Sequence, residues 1–225
     1  MGRYLTSDEH ARVSAAVAEA EAHTSGEIVT VLADRSDGYS DIALAWAGFA
    51  SLLVLAFLAI FPEFYLGKIE WALNLWGHEW TPGEIFSVAA VFASLKFLGV
   101  WLFLLWDRLR FLLVPGRVKT LRVHDRAITH FKVGAERRTH GRTGVLIYLS
   151  MQEHRAEIVA DETIAAKVSA EVWGEAMADM LVEIRAGRMA EGMIAGIRDV
   201  GTLLAEHFPR DEDDQNELPD RLIEV

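Results

Sequence analysis

Four polar residues beside two apolar runs form the candidate chemistry of this sequence. Arg142 and Thr143 lead into the run Gly144–Ser150, and Asp161 and Glu162 follow the next apolar run. Both runs have the length of strands joined as an antiparallel hairpin, so we expect the four residues to meet at one end of a sheet. Two carboxylates are too few ligands to hold a cation tightly, and an arginine beside them would repel the cation. The pattern favours internal pairing or recognition of a polar partner, and it predicts no metal site.

A structural role competes with the functional one for these residues. Asp161 or Glu162 can cap the helix that is expected from Thr163 onwards, because acidic residues favour a helix N-terminus. The basic run at residues 137–142 can hold an anion, but such runs are more often solvated loops.

The sequence lacks the other common catalytic and cofactor motifs. It contains no P-loop, no G-x-S-x-G, no H-E-x-x-H and no G-x-G-x-x-G, so we expect no cofactor and no catalytic residue. His124 and His130 lie six positions apart on one predicted helix, which places them on opposite faces. His140 and His154 flank a strand and so lie at its opposite ends. Surface or capping roles are therefore favoured for these four. The absence of cysteine excludes disulfides and thiolate metal sites, and it suits a cytoplasmic location.

Two long apolar runs lie between the first strand and the hairpin. Ile42–Phe61 contains no charged residue, and Ile85–Trp106 contains only Lys96. Each is long enough to cross a hydrocarbon core of about 30 Å as a helix. A chain of 225 residues has too little other protein to bury both runs, so we predict two transmembrane spans. For Lys96, snorkelling or a hydrogen bond is favoured over an intramembrane ion site.

The charges that flank the spans predict their orientation. The connection Pro62–Glu84 contains one lysine and four glutamates. Basic residues are concentrated after the second span, at Arg108, Arg110, Arg117, Lys119, Arg122 and Arg126. The positive-inside rule therefore predicts that both termini and the soluble segments lie in the cytoplasm.

The soluble segments alternate between helical and strand patterns. The predicted order is helix Ser7–His23, strand Glu27–Ala33, the membrane hairpin, helix Arg117–Ala135, two strands, helix Thr163–Ala186 and helix Met189–His207. A strand, a helical crossover and a second strand imply a parallel pair. The expected fold class is therefore α/β, a small mixed sheet sandwiched by helices and interrupted by the hairpin. The domain boundaries follow as 1–38 and 115–209 for the two parts of the sheet domain and 39–114 for the hairpin.

The C-terminal residues 210–225 hold seven acids and two arginines. This composition predicts a disordered tail that carries nearly half of the formal net charge of −11. No basic stripe with interleaved aromatic residues is present, so nucleic acid is not an expected partner.

The quoted runs, in this order, resemble the TPM domain. They are HTSGEIVTVLAD, RTGVLIYLS, AEIVADETI and RAGRMAEGMIAGIRDVGTLLAEHFP. The family includes thylakoid-lumen proteins linked to photosystem repair, a receptor auxiliary protein and bacterial membrane-anchored proteins. This chain looks like the bacterial subgroup in which a transmembrane hairpin interrupts the domain. The resemblance covers residues 5–38 and 116–209 and implies an α/β sandwich.

The resemblance implies less about activity. Some plant members are linked to acid phosphatase activity and to divalent cations, with Asp-Asn-Gly leading into the second strand. Here those positions are Arg142, Thr143 and Gly144. Two hypotheses remain: a non-catalytic interaction or assembly module that serves another membrane protein at the bilayer, and a membrane-tethered phosphatase.

Overall fold

The computed structural model describes residues 4–75, 77–134, 143–210 and 220–225. The chain divides into two compact units. The sheet unit comprises Met1–Asp37 and Gly116–Val225, and the hairpin unit comprises Gly38–Pro115. In chain order the elements are α1 Ser7–Glu21, β1 Glu27–Ala33, α2 Ser40–Ile60, α3 Pro62–Leu73, α4 Pro82–Phe103, α5 Asp107–Leu113, α6 Gly116–Gly134, β2 Gly144–Ser150, β3 Arg155–Ala160, α7 Glu162–Ala165, α8 Ala170–Arg185, α9 Met189–His207 and β4 Ile223–Glu224.

The described strands form one mixed sheet in the order β3-β2-β1-β4. β1 runs parallel to β2 along its whole length, from Glu27 opposite Gly144 to Ala33 opposite Ser150. β3 returns antiparallel to β2, as the hairpin pattern predicts. The fold class is therefore confirmed as α/β with a mixed sheet among helices.

Helices cover both faces of the sheet because its strands carry apolar side chains on both faces. Ile28 and Leu32 of β1 belong to the larger core, which α1, α8 and α9 complete. Val31 and Ala33 point to the opposite face, where they meet the apolar stripe of α6. Burial on both faces explains why β1 and β2 read as nearly continuous apolar runs.

The beginning of α1 shows how a local signal sets an element boundary. Thr6 is the N-cap, and its hydroxyl accepts a hydrogen bond from the Glu9 backbone N–H. The Glu9 carboxylate in turn accepts one from the Thr6 N–H at 2.7 Å. This reciprocal capping box starts the helix at Ser7.

One continuous helix over Thr163–Ala186 is a wrong prediction. The chain instead forms the single turn α7, leaves the helix at residues 166–169 and begins α8 after Ser169, whose backbone is extended. Lys167, within the break, donates to the His207 carbonyl at 3.3 Å and lies 4.1 Å from the centroid of the Phe208 ring. The Ser169 N-cap is the sequence signal that the apolar spacing hides.

The prediction of a disordered tail is wrong at the end of the chain. Ile223–Glu224 form β4 and pair in parallel with Val31 and Leu32 of β1. Leu222, just before β4, is 6% exposed and belongs to the larger core. The acidic composition of the segment hides this short apolar sequence, which supplies the burial that ordering requires.

In the hairpin unit, α2 and α4 contain 21 and 22 residues. They pack through small residues, since Ala43, Ala47 and Ala93 are buried and the Ser51 hydroxyl donates to the Ala93 carbonyl at 3.1 Å. Their other side chains are largely exposed, including Lys96. The connection between them contains the helix α3, which the sequence did not predict. α3 has proline at its first position, and Asn74, in the left-handed conformation, follows its last residue.

Candidate functional site

Asp161 is the central acid of the predicted polar pole, the end of the sheet where β2 begins and β3 ends. Its side chain is buried, and its Oδ2 atom accepts a hydrogen bond from the Gly144 backbone N–H at 2.9 Å. The Asp161 N–H donates to the Gly144 carbonyl at 3.0 Å. Asp161 occupies the N-cap position of α7, but its side chain makes no capping hydrogen bond. The carboxylate therefore joins the beginning of β2 to the end of β3, at the end of the hairpin away from its turn. The prediction that its side chain caps the following helix is corrected by this contact.

Thr143 ties the beginning of β2 to the segment that precedes β1. Its hydroxyl donates to the Ser25 carbonyl at 2.8 Å. Its own carbonyl accepts a hydrogen bond from the Glu27 N–H at 3.0 Å. Thr143 thus supports the parallel register in which Glu27 lies opposite Gly144.

The structure brings together only part of the predicted set. Thr143 and Asp161 both bond to the backbone at this end of the sheet, on either side of Gly144. Glu162 follows as the first residue of α7, with an exposed side chain. Arg142 lies outside the described residues. A soluble partner that approaches the pole would meet Glu162, whereas Asp161 is buried.

The sequence reading missed a second group of acids in this unit. Glu21, the last residue of α1, is 8% exposed, and its Oε1 atom accepts a hydrogen bond from the Ile28 N–H at 2.7 Å. Burial raises the pKa of Glu21 to about 8, against the effect of that hydrogen bond, and the nearby acids Glu27 and Asp220 raise it further. Glu21 therefore carries a proton at neutral pH. Its spacing of four from Val17 is the signal that places it on the buried face of α1.

The described histidines interact singly and do not cluster. His124 lies 2.6 Å from the Glu157 carboxylate and is exposed, which agrees with a surface role. His130 stacks on Tyr148 with ring centroids 5.6 Å apart, and burial lowers its pKa. Among the residues that the structure describes, no group of three or more histidine, aspartate or glutamate side chains could hold a metal ion.

A buried polar network lies at the opposite end of β1 and β2. The Ser150 hydroxyl donates to the Glu153 carboxylate at 2.5 Å, and the Ser36 N–H donates to the same carboxylate at 3.1 Å. The Ser36 hydroxyl donates to Ser150 at 2.9 Å and lies 3.1 Å from the Tyr148 hydroxyl. A carboxylate beside a serine hydroxyl can act as a base. These side chains are at most 9% exposed, however, so we assign the network a structural role. It holds the carboxyl-terminal ends of β1 and β2 together.

The comparisons with known proteins agree with this geometry. Residues 112–203 match the TPM domain. The matched segment contains α6, β2, β3, α7, α8 and most of α9, and with them Thr143, Asp161 and Glu162. α1 and β1 precede it.

The fold also resembles a solved structure. This is the NMR structure of the BA42 protein from the psychrophilic bacterium Bizionia argentinensis, with a TM-score of 0.57 and 19% sequence identity. The similarity covers 100% of this chain and 98% of that chain. At this identity it supports the TPM-like fold alone. No curated protein matches the chain.

Proposed function

We propose that this chain is an integral membrane protein that crosses the bacterial inner membrane twice. In this proposal its TPM-like sheet unit acts at the cytoplasmic face as a non-catalytic interaction or assembly module for another membrane protein or complex. The exposure of α2 and α4 carries the proposal. In the most apolar 18-residue stretch of each helix, only 11% of the residues of α2 and 6% of those of α4 are buried. Core helices of soluble proteins are mostly buried, so these two helices favour lipid as their surroundings.

The helix lengths suit a bilayer. At 1.5 Å per residue, 21 or 22 residues span slightly more than 30 Å, which is about the thickness of the hydrocarbon core. Charge supports the orientation, because Arg108 and Arg110 lie on α5 just after the second apolar helix. The connection between the helices is acidic, with Glu63, Glu70 and Glu79. Basic residues at the end of a span favour the cytoplasmic side.

The non-catalytic assignment is supported by how the polar pole uses its functional groups. The Asp161 carboxylate accepts from the Gly144 N–H, and the Thr143 hydroxyl donates to the Ser25 carbonyl. Both groups are thus engaged in holding strands together. Glu162 at the surface is suited to an ionic contact with a basic group of a partner.

The alternative function is a membrane-tethered phosphatase, which the name of the matched family model suggests. Phosphate ester hydrolysis of this kind commonly relies on metal ions held by several oxygen ligands. The described residues offer no such cluster. The interaction module is therefore favoured.

A phosphatase assay separates the two functions. The full chain in detergent micelles is incubated with p-nitrophenyl phosphate, with and without magnesium, manganese or calcium. We expect the same background rate for the wild type and for Asp161→Asn. Metal-dependent hydrolysis by the wild type that Asp161→Asn abolishes would establish the phosphatase and contradict our assignment.

Site-specific crosslinking tests the interaction directly. A photoreactive amino acid is placed at Glu162, and in a matched control at Glu206, which is exposed on α9. In native membranes we expect a discrete crosslinked product from position 162 and none from position 206. Equal, diffuse products from both positions would count against a partner at the polar pole.

A further inference from the structure

The last residues of the chain lie along one edge of the sheet. β4 pairs with Val31 and Leu32 of β1. Val225 extends the pairing, because its N–H donates to the Leu32 carbonyl at 3.0 Å and its carbonyl accepts from the Asp34 N–H at 2.8 Å. The segment therefore binds in the manner of an added strand, through backbone hydrogen bonds at an edge that no other described strand occupies.

The side chains of this segment make separate and chemically distinct contacts. Leu222 inserts into the larger core. Ile223 packs on the opposite face of the sheet against the smaller core. The Glu224 carboxylate lies 2.8 Å from the His10 ring nitrogen Nε2 on α1. Asp220 forms a side-chain hydrogen bond with the buried Glu21. The edge thus recognises an acid, a leucine two positions later, a β-branched residue and a second acid.

The segment covers the edge with few contacts. β2 pairs with seven residues of β1, whereas β4 pairs with two. Leu222 is the one side chain of residues 220–225 that is buried. A cover of this size can be exchanged for an equivalent strand from another molecule, because the exchange replaces each contact with one of the same kind.

We propose that the edge of β1 is a binding site for an extended segment of a partner protein with the pattern acid-x-Leu-[Ile/Val]-acid, and that residues 220–225 occupy this site until the partner displaces them. The proposal deepens the function proposed above, since it names a surface through which the sheet unit binds. His10 selects the second acid, and the pocket that holds Leu222 selects the leucine. The chain's own segment limits binding to partners that are abundant or that bind more tightly.

A labelled hexapeptide with the sequence of residues 220–225, Asp-Arg-Leu-Ile-Glu-Val, tests the proposal. It is titrated by fluorescence anisotropy against the full chain in detergent micelles and against the full-length variant Leu222→Asp, whose own segment no longer fits the core. We expect the variant to bind the peptide at least tenfold more tightly than the wild type. Adding His10→Ala to the variant should weaken binding severalfold, and a control peptide with aspartate in place of leucine should not bind.

A second variant covers the case in which Leu222→Asp does not fold. Val225→Pro removes the N–H that donates to the Leu32 carbonyl and leaves Leu222 intact, so it should also bind the peptide more tightly than the wild type. Circular dichroism establishes that each variant is folded.

Three results would overturn the proposal. One is a folded variant that does not bind the peptide, and another is wild-type binding as tight as that of the variant. The third is a wild-type dimer, favoured at high concentration and lost in Leu222→Asp, which would identify a second copy of this chain as the occupant. The assay uses purified protein and a defined peptide. It can therefore succeed or fail independently of the crosslinking at position 162 and of the phosphatase assay.

Discussion

Glu21 is a buried acid of the sheet unit with a strongly raised pKa. Its folded pKa of about 8 lies above the value of 4.5 that an exposed glutamate has. Below pH 4.5 the carboxyl is protonated in both the folded and the unfolded chain, and its contribution to stability is fully present. As the pH rises towards 8, the unfolded chain releases the proton first, so the folded state loses stability relative to it.

Glu21→Gln should remove this loss. An amide can still accept from the Ile28 N–H and donate to Asp220, but it does not ionise. Since one pKa unit corresponds to about 1.4 kcal/mol, a pKa raised from 4.5 to about 8 predicts a variant more stable than the wild type by on the order of 4 kcal/mol at pH 8, and nearly equal in stability near pH 4.5. Urea unfolding at several pH values measures the difference. Glu19→Gln, an exposed change on the same helix, is the control, and parallel pH profiles for wild type and Glu21→Gln would contradict the assignment.

Thr30 offers a second test at the residue scale. It lies in the middle of β1 at 1% exposure, and its buried hydroxyl has no hydrogen-bond partner among the residues that the structure describes. Valine has almost the same shape and removes the unsatisfied group, so Thr30→Val should stabilise the chain by about 1–2 kcal/mol. The control Thr129→Val changes an exposed hydroxyl that bonds within α6 and should have a much smaller effect. A destabilised Thr30→Val would show that the hydroxyl is satisfied in solution.

Single residues were predictable from the sequence where their partners are close in the chain. The Thr6–Glu9 capping box spans three positions, and its two residue types at that spacing are a recognisable signal for a helix start. Glu21 and Asp220 are separated by almost the whole chain, and no local pattern brings them together. Asp161 was recognised as an important acid, but its actual partner, the Gly144 N–H, depends on the strand pairing.

At the scale of elements, the boundaries of β1 and β2 agree with the sequence prediction, and β3 ends directly before Asp161 as expected. These strands are short apolar runs between polar residues, and such runs have sharp ends. The helix break at residues 166–169 was missed because the apolar spacing continues across it through Ile164 and Val168, both buried. β4 was missed because its two residues are too few to form a periodic pattern.

The contact between α8 and α9 yields a prediction about two glycines. A Cβ atom at Gly192 would lie 2.5 Å from the Ile184 side chain and 2.8 Å from the Met180 carbonyl oxygen, which is backbone and cannot easily move. Gly192→Ala should therefore destabilise the sheet unit by about 1–3 kcal/mol. Gly174, on α8, has no atom within 4 Å of such a Cβ. Gly174→Ala should stabilise by about 0.5–1 kcal/mol through helix propensity.

Thermal or urea unfolding of the two alanine variants measures this pair. The opposite signs exclude a general effect of replacing glycine in a helix. Equal stability of Gly192→Ala and the wild type would mean that α8 and α9 are less closely packed than described.

At the scale of the whole molecule, the hairpin unit is inserted in the sequence between β1 and β2, two strands that pair in parallel. β1 ends at Ala33 and β2 begins at Gly144, and the segment between them contains α2 to α6. The sequence predicted this insertion because apolar runs of membrane-spanning length are distinct from the shorter patterns around them. It did not predict α3, since hydropathy alone does not separate a helix from an apolar loop beside a span.

Membrane topology is the central claim, and cysteine labelling measures it most directly. The chain has no native cysteine, so a single cysteine is introduced at Asn74, after α3, or at Asp125, on α6. Each variant is treated in intact spheroplasts with a thiol reagent that does not cross membranes. We expect labelling at position 74 in intact spheroplasts and labelling at position 125 only after the membrane is permeabilised. Labelling of both positions from the same side would contradict this topology.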